Sequence, residues 1–162
     1  MKIFKRIVAV TAAALSLCSF SVHAEILKTP EIKAKSAILI NADTGRILYE
    51  KNSHEKLYPA SMTKMLTAMV VLDNMEADET IKVDYSINEV PLDSSKAGIA
   101  VGEIITVENV VRGLIIPSGN DIANAAASAV AKKALGDDIS YEEAEKYFIG
   151  LMNTKASELG CK

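Results

Sequence analysis

Hydrophobic residues recur at helical spacing in the stretch 59–73, which contains no helix breaker after Pro59. Spacings of three and four residues are typical of one apolar helix face, and here they select Met62, Met65, Leu66, Met69 and Leu72. The pattern predicts a buried helix. Because proline suits the first turn of a helix, Ser61 is expected within one turn of the helix start. Unpaired backbone N–H groups there favour developing negative charge.

Two short apolar runs, 36–40 and 47–50, flank the turn-forming residues 41–46 and predict a β-hairpin. An isolated hairpin is not stable in water. We therefore expect it to pack on the helix that contains Ser61 and on further strands. Residues 80–83 predict one short strand within an otherwise irregular, polar stretch.

Three further helices are predicted downstream. Thr106 is the expected N-cap of the first, and Pro117 ends it; its apolar stripe is Val107, Val110, Val111, Leu114 and Ile115. Residues 122–135 are apolar nearly all round and predict a buried helix, and residues 141–159 predict another helix. A link between two buried helices needs partners for its polar side chains. Two interpretations are open for Ser118 and Asn120: they cap the second helix, or they face a cleft.

The first 24 residues have the pattern of a secretory signal peptide. Basic residues extend up to Arg6, an apolar run covers 7–20, and small residues stand at the two positions that a signal peptidase reads. Export across the cytoplasmic membrane to the periplasm or cell-wall space is therefore expected. The alternative is a lipoprotein signal that ends at Cys18, but Leu17 stands where a small residue is expected.

Cleavage after residue 24 would leave 138 residues with a formal net charge of −6, because the removed segment carries three basic residues and no acidic ones. An acidic chain argues against a nucleic-acid partner. Only one histidine, His54, and one cysteine, Cys161, would remain. These counts exclude an intramolecular disulfide and a His-rich metal cluster, and no cofactor is expected. A Ser-His-Asp triad through His54 is permitted by counting but disfavoured by its polar surroundings.

Ser61 and Lys64 supply candidate catalytic chemistry. Their spacing places the amine and the hydroxyl on one helix face. A hydroxyl is a poor nucleophile until a base removes its proton, and a lysine amine acts as that base when burial or nearby positive charge keeps it neutral. Alone the pattern is weak, since Ser-x-x-Lys arises by chance about once in a couple of hundred residues. A second copy, 53–56, lies in a polar run typical of a solvated loop. The structural alternative for Ser61 and Lys64 is a helix-start serine and a snorkelling lysine.

Residues 58–64 read Tyr-Pro-Ala-Ser-Met-Thr-Lys, and residues 117–121 read Pro-Ser-Gly-Asn-Asp. Together they resemble the first two motifs of the serine-type D-alanyl-D-alanine carboxypeptidases, the low-molecular-weight penicillin-binding proteins. The resemblance extends from about residue 34 to the end of the chain. It implies a mixed α+β fold of the β-lactamase and DD-peptidase type, in which a helical subdomain packs on an antiparallel sheet.

The resemblance also implies a role for each motif residue. Ser61 would attack the carbonyl between the two terminal D-alanines of a peptidoglycan stem peptide, and Lys64 would accept its proton. Ser118 would relay that proton to the departing D-alanine, while Asn120 would bind the substrate amide. Water would then hydrolyse the acyl-enzyme. β-Lactam antibiotics would acylate Ser61 by mimicking the same dipeptide, and the Ser61 N–H would form half of an oxyanion hole.

The third motif of the family, Lys-Thr-Gly, is absent from these residues. We therefore expect residues 25–162 to be the N-terminal part of a longer DD-peptidase domain, poorly folded and inactive alone. The sequence gives no indication of membrane anchoring. A serine β-lactamase is one alternative, but its second motif is usually Ser-Asp-Asn, and Gly119 favours the carboxypeptidase. A non-catalytic cell-wall-binding relative is another, which the presence of all four motif residues disfavours.

Overall fold

The computed structural model describes residues 31–161, which form two compact units that divide after Lys56. The signal peptide predicted for residues 1–24 lies outside the described residues. Within residues 31–161, no helix combines the length and the apolar character that crossing a bilayer requires. The architecture mixes helices with short antiparallel strands, as predicted.

The first unit contains a β-hairpin of strands β1 (Ala37–Ile40) and β2 (Ile47–Lys51), which pair antiparallel. Turn chemistry closes it. The Asn41 side-chain oxygen accepts hydrogen bonds from the Thr44 N–H at 2.8 Å and the Thr44 hydroxyl at 2.7 Å, and Gly45 adopts the left-handed backbone that glycine favours. The predicted hairpin is confirmed. Its packing on the helix that contains Ser61 stays a prediction.

The second unit combines four helices, two 3-10 turns and a two-stranded sheet. In chain order these elements are the 3-10 turn Ala60–Met62, α1 (Thr63–Asn74), β3 (Thr80–Lys82), the 3-10 turn Tyr85–Glu89, β4 (Ile104–Thr106), α2 (Val107–Ile115), α3 (Asn120–Leu135) and α4 (Tyr141–Glu158). Strands β3 and β4 pair antiparallel with Ile81 opposite Ile105. The helices agree with the predicted segments, whereas β4 was not predicted as a strand.

Aliphatic side chains of several elements form the core of the second unit. Leu114 and Val110 of α2 are completely buried, and Val70 and Val71 of α1 are 2% and 1% exposed. Helix α1 packs on α2, α3 and α4. Phe148 of α4 is the one aromatic side chain in this described core. Because burial of one aliphatic side chain contributes about 1.5–3 kcal/mol, this cluster stabilises the frame that carries the motif residues.

Helix ends in the second unit follow local capping chemistry. The Thr106 hydroxyl accepts a hydrogen bond from the Asn109 N–H at 3.4 Å, which confirms Thr106 as the N-cap of α2. Helix α4 begins with a capping box in which Ser140 and Glu143 bond each other's backbone N–H groups. Helix α2 ends two residues before Pro117, as expected.

The apolar stripe predicted for the first helix is wrong as a core face. Four of its five residues are 40–61% exposed: Met62, Met65, Met69 and Leu72. The core takes the opposite side, with Ala68, Val70 and Val71 buried. The helix is apolar on most of its circumference, and the smaller side chains allow closer approach of neighbouring helices. Periodicity identifies such a helix but does not select between two apolar faces. Ile115 of the α2 stripe is likewise 51% exposed.

Candidate active site

Ser61 lies in the 3-10 turn that leads directly into α1, so it is within one turn of the helix start, as predicted. Ser61 is exposed. The residue before it, Ala60, has φ 50, a left-handed conformation that is uncommon for residues other than glycine. Such strain costs on the order of 1–3 kcal/mol and is concentrated at functional sites. The backbone therefore holds an exposed hydroxyl at a strained corner.

Lys64 lies in the first turn of α1 and is only 8% exposed. Its Nζ donates a hydrogen bond to the Asn120 Oδ1 at 2.9 Å. A snorkelling lysine would keep its amine in water, so that alternative is wrong. Within residues 31–161, Lys64 forms no salt bridge with a carboxylate. The buried amine is therefore held by a neutral amide oxygen.

Ser118 lies in the link between α2 and α3 and adopts φ 57, which is also left-handed. Its hydroxyl is buried and makes no hydrogen bond within the described part of the chain. The N-cap of α3 is Gly119, without a side-chain cap. The interpretation that Ser118 or Asn120 caps this helix is therefore wrong. A buried hydroxyl without a partner costs about 1–3 kcal/mol, and a group kept at that cost is a candidate for function.

Asn120 connects the two motifs. Its Oδ1 accepts from Lys64, and its Nδ2 donates to the Ser95 carbonyl at 3.2 Å. The same carbonyl accepts from the Asn120 backbone N–H at 2.8 Å. Lys64 and Asn120 thus meet although 56 residues separate them. The carboxamide is oriented by a donor on one side and an acceptor on the other.

Asp121 is a buried residue to which the sequence pattern assigned no role. It is 3% exposed. Its Oδ1 accepts from the N–H groups of Ala97 (2.7 Å) and Ile122 (2.8 Å), and its Oδ2 from those of Gly98 (2.8 Å) and Ile99 (3.4 Å). Burial raises the pKa of this carboxyl, but the backbone donors lower it by more, so the pKa lies below its ordinary value. The available signal was an acidic residue at the end of the second motif, next to an apolar helix.

The competing constellations from the sequence lie in the first unit. His54 has a side chain that is 97% exposed, with its Nε2 3.6 Å from a Glu50 oxygen. The second Ser-x-x-Lys copy, 53–56, follows β2 in a loop in which Lys56 is exposed. The loop assignment is confirmed, and the copy lacks the buried amine that distinguishes Lys64.

Two solved structures with a similar architecture are a DD-transpeptidase and a penicillin binding protein. The DD-transpeptidase of Streptomyces K15 superposes with a TM-score of 0.71 and 34% identity, over 84% of this chain and 52% of its own. Penicillin binding protein 5 of Haemophilus influenzae superposes with a TM-score of 0.65 and 28% identity, over 84% of this chain and 38% of its own. The fold is that of the DD-peptidases and β-lactamases, as the resemblance implied.

Sequence comparison defines the family. The family model of peptidase family S11, D-alanyl-D-alanine carboxypeptidase, matches residues 23–162. D-alanyl-D-alanine carboxypeptidase DacF of Bacillus subtilis is 39% identical over 133 residues, which are 80% of this chain and 31% of DacF. The D-alanyl-D-alanine carboxypeptidase of Streptomyces sp. K15 is 38% identical over 135 residues, 81% of this chain and 45% of that protein.

The chain therefore belongs to the D-alanyl-D-alanine carboxypeptidase family, peptidase family S11. It spans about a third to a half of the length of these relatives. The match favours the carboxypeptidase interpretation over the serine β-lactamase alternative.

Proposed function

We propose that the protein releases the terminal D-alanine from peptidoglycan stem peptides that end in D-Ala-D-Ala, through an acyl-enzyme on Ser61. One observation carries the proposal: the buried Lys64 amine, one turn after an exposed serine, is bonded to an amide oxygen. A lysine amine placed one helical turn after a serine is a candidate to take the hydroxyl proton, which activates the serine as a nucleophile. Within residues 31–161, no carboxylate forms a salt bridge with this amine.

Acylation begins when the Ser61 Oγ attacks the carbonyl carbon between the two D-alanines and Lys64 takes the hydroxyl proton. The developing oxyanion lies near the Ser61 backbone N–H at the positive end of α1, which stabilises negative charge. The carbon–nitrogen bond then breaks. An ester to Ser61 remains, and D-alanine departs with the proton on its amine.

Ser118 acts on the departing nitrogen of the substrate, and Asn120 binds a substrate amide. Among residues 31–161 the buried Ser118 hydroxyl has no hydrogen-bond partner, and it passes the proton from Lys64 to the departing nitrogen. Asn120 presents its carboxamide to the peptide chain and holds the scissile bond over Ser61. Water, deprotonated by the same base, finally hydrolyses the ester and regenerates the serine.

The nature of the acyl acceptor is a second question for the same site. The Streptomyces K15 relative carries both names, carboxypeptidase and DD-transpeptidase. Transfer of the acyl group to an amine instead of water differs only in the last step. We propose hydrolysis as the main reaction. Transfer of the acyl group would be measured by adding an amine acceptor to the assay of D-alanine release.

We also propose where the enzyme acts and to what larger domain these residues belong. Residues 1–24 would direct export to the periplasm or cell-wall space, where stem peptides are found. Residues 25–162 would form the N-terminal part of a longer DD-peptidase domain, which is supported by relatives two to three times the length of the matched region. β-Lactams would open their ring amide on Ser61 and remain as a stable ester.

The test is D-alanine release from a stem-peptide analogue by the protein expressed from its gene. Lys64→Arg keeps a long basic side chain but removes the base, because a guanidinium stays protonated. We expect release to fall about 100-fold or more. Ser53→Ala and Lys56→Arg provide the matched control, since they alter the exposed copy of the spacing and should leave release unchanged. The proposal would be refuted if the control variants lost as much D-alanine release as Lys64→Arg. It would also be refuted if the protein hydrolysed penicillin faster than it released D-alanine.

A further inference from the structure

We infer that Asp121 is a positioning residue that holds the segment 95–99 against the link 118–121, and thereby orients the Asn120 carboxamide towards Lys64. The inference rests on the proposed function, because it concerns the precision of the same site. It assigns a role to a buried group that the proposed reaction does not itself use.

The Asp121 carboxylate binds three consecutive N–H groups of the segment, those of Ala97, Gly98 and Ile99, at 2.7, 2.8 and 3.4 Å. Hydrogen bonds to an ionised acceptor are stronger than neutral ones. Consecutive backbone donors that converge on one buried carboxylate leave the segment little freedom to shift. Removal of the charge would leave several buried donors with a weaker partner.

Gly119 shows how closely the segment and the link approach. A Cβ atom at this position would lie 2.8 Å from the Ala97 N and 2.9 Å from the Asp121 Oδ1. The Gly119 φ is −63, an angle open to any residue. Contact with the segment, and not the backbone angle, therefore requires glycine at the centre of the second motif.

The segment reaches the catalytic amine through one carbonyl. The Ser95 oxygen accepts from the Asn120 N–H at 2.8 Å and from its Nδ2 at 3.2 Å. Because this carbonyl holds the Nδ2, the Oδ1 is the atom that faces the Lys64 Nζ at 2.9 Å. If the carbonyl moved away, the carboxamide would be free to rotate and to present an N–H to the amine, which is also a donor.

The test is Asp121→Asn in the protein expressed from its gene. Asparagine has the same shape, but its amide nitrogen donates and would face backbone donors. We expect the rate of acylation by a fluorescent penicillin to fall about 10- to 100-fold in protein that is still folded, which is typical of a misplacement of about 1 Å. Backbone amide hydrogen exchange at residues 97–99 should accelerate in the same variant. A purely structural role would change stability without slowing acylation well below the melting temperature.

Asp84→Asn is the matched control, since Asp84 is a second carboxylate in an internal network but bonds Ser128 and Lys132 further along α3. It should lose stability and keep the wild-type acylation rate. If Asp121→Asn does not fold, Gly119→Ala decides, because it crowds the segment while the carboxylate remains, and it should slow acylation.

Wild-type acylation rates in folded Asp121→Asn, or in Gly119→Ala, would overturn the inference alone. Absence of acylation in the wild type would overturn the proposed function and, with it, the catalytic role of Asp121.

Discussion

Replacement of Asp84 by asparagine should destabilise the protein by about 2 kcal/mol at neutral pH. The Asp84 Oδ2 accepts from Ser128 and Lys132 at 2.5 Å each, and the Oδ1 accepts from the Ser86 N–H at 3.0 Å. The side chain is 27% exposed. Asparagine keeps the shape but loses the charge, so the Lys132 ammonium loses its ionic partner.

The magnitude follows from the pKa of the carboxyl. Burial raises the pKa of Asp84, but hydrogen bonds from Lys132, Ser128 and Ser86 lower it by more, from 3.8 to about 2. Because the folded pKa lies below the unfolded one, the stabilisation is fully present above pH 3.8 and is lost as pH falls through about 2. The difference between wild type and variant should therefore shrink to about half by pH 3.

The assay is urea denaturation at a series of pH values between 7 and 3, followed by far-UV circular dichroism because the chain has no tryptophan. Asp138→Asn, an exposed residue in the loop before α4, provides a control for the removal of one negative charge. A difference between wild type and Asp84→Asn that stays constant from pH 7 to pH 3 would show that packing, and not the ionised carboxylate, is responsible.

Three further predictions concern the core, a helix end and the site. Leu114→Ala should lower the free energy of unfolding by about 2–5 kcal/mol because Leu114 is fully buried, whereas Ile115→Ala on the exposed face should stay within about 0.5 kcal/mol; denaturation curves compare the two. Ser140→Ala should cost about 1 kcal/mol through loss of the α4 capping box, and an unchanged melting temperature would contradict it. Ser118→Ala should leave stability unchanged or slightly higher, since it removes a buried hydroxyl that has no partner in the described part of the chain, while acylation by penicillin falls about 100-fold or more.

Local chemistry explains which parts of the fold the sequence predicted. The β1–β2 hairpin could be predicted because turn residues such as Asn41 bond their own neighbours. Helix α2 could be predicted because Thr106 caps it locally. Strand β4 could not be predicted, since its three residues become a strand only by pairing with β3. The exposed face of α1 was predicted as buried because its apolar residues occupy two faces.

In the candidate site, too, local features could be predicted from the sequence and tertiary contacts could not. The spacing of Ser61 and Lys64 is a local pattern, whereas the contact between Lys64 and Asn120 joins residues 56 positions apart and depends on how the helices pack. The role of Asp121 depends on donors 22–24 residues earlier in the chain, which no local pattern encodes. The left-handed backbone of Ser118 is equally invisible in the sequence, because serine rarely adopts it.

Acylation at Ser61 is tested most directly by mass spectrometry of the protein after reaction with benzylpenicillin. If Ser61 is the nucleophile, one penicilloyl group is added to the peptide that contains Ser61, and none is added after Ser61→Ala. A covalent adduct on another residue, or an undiminished adduct in Ser61→Ala, would contradict it.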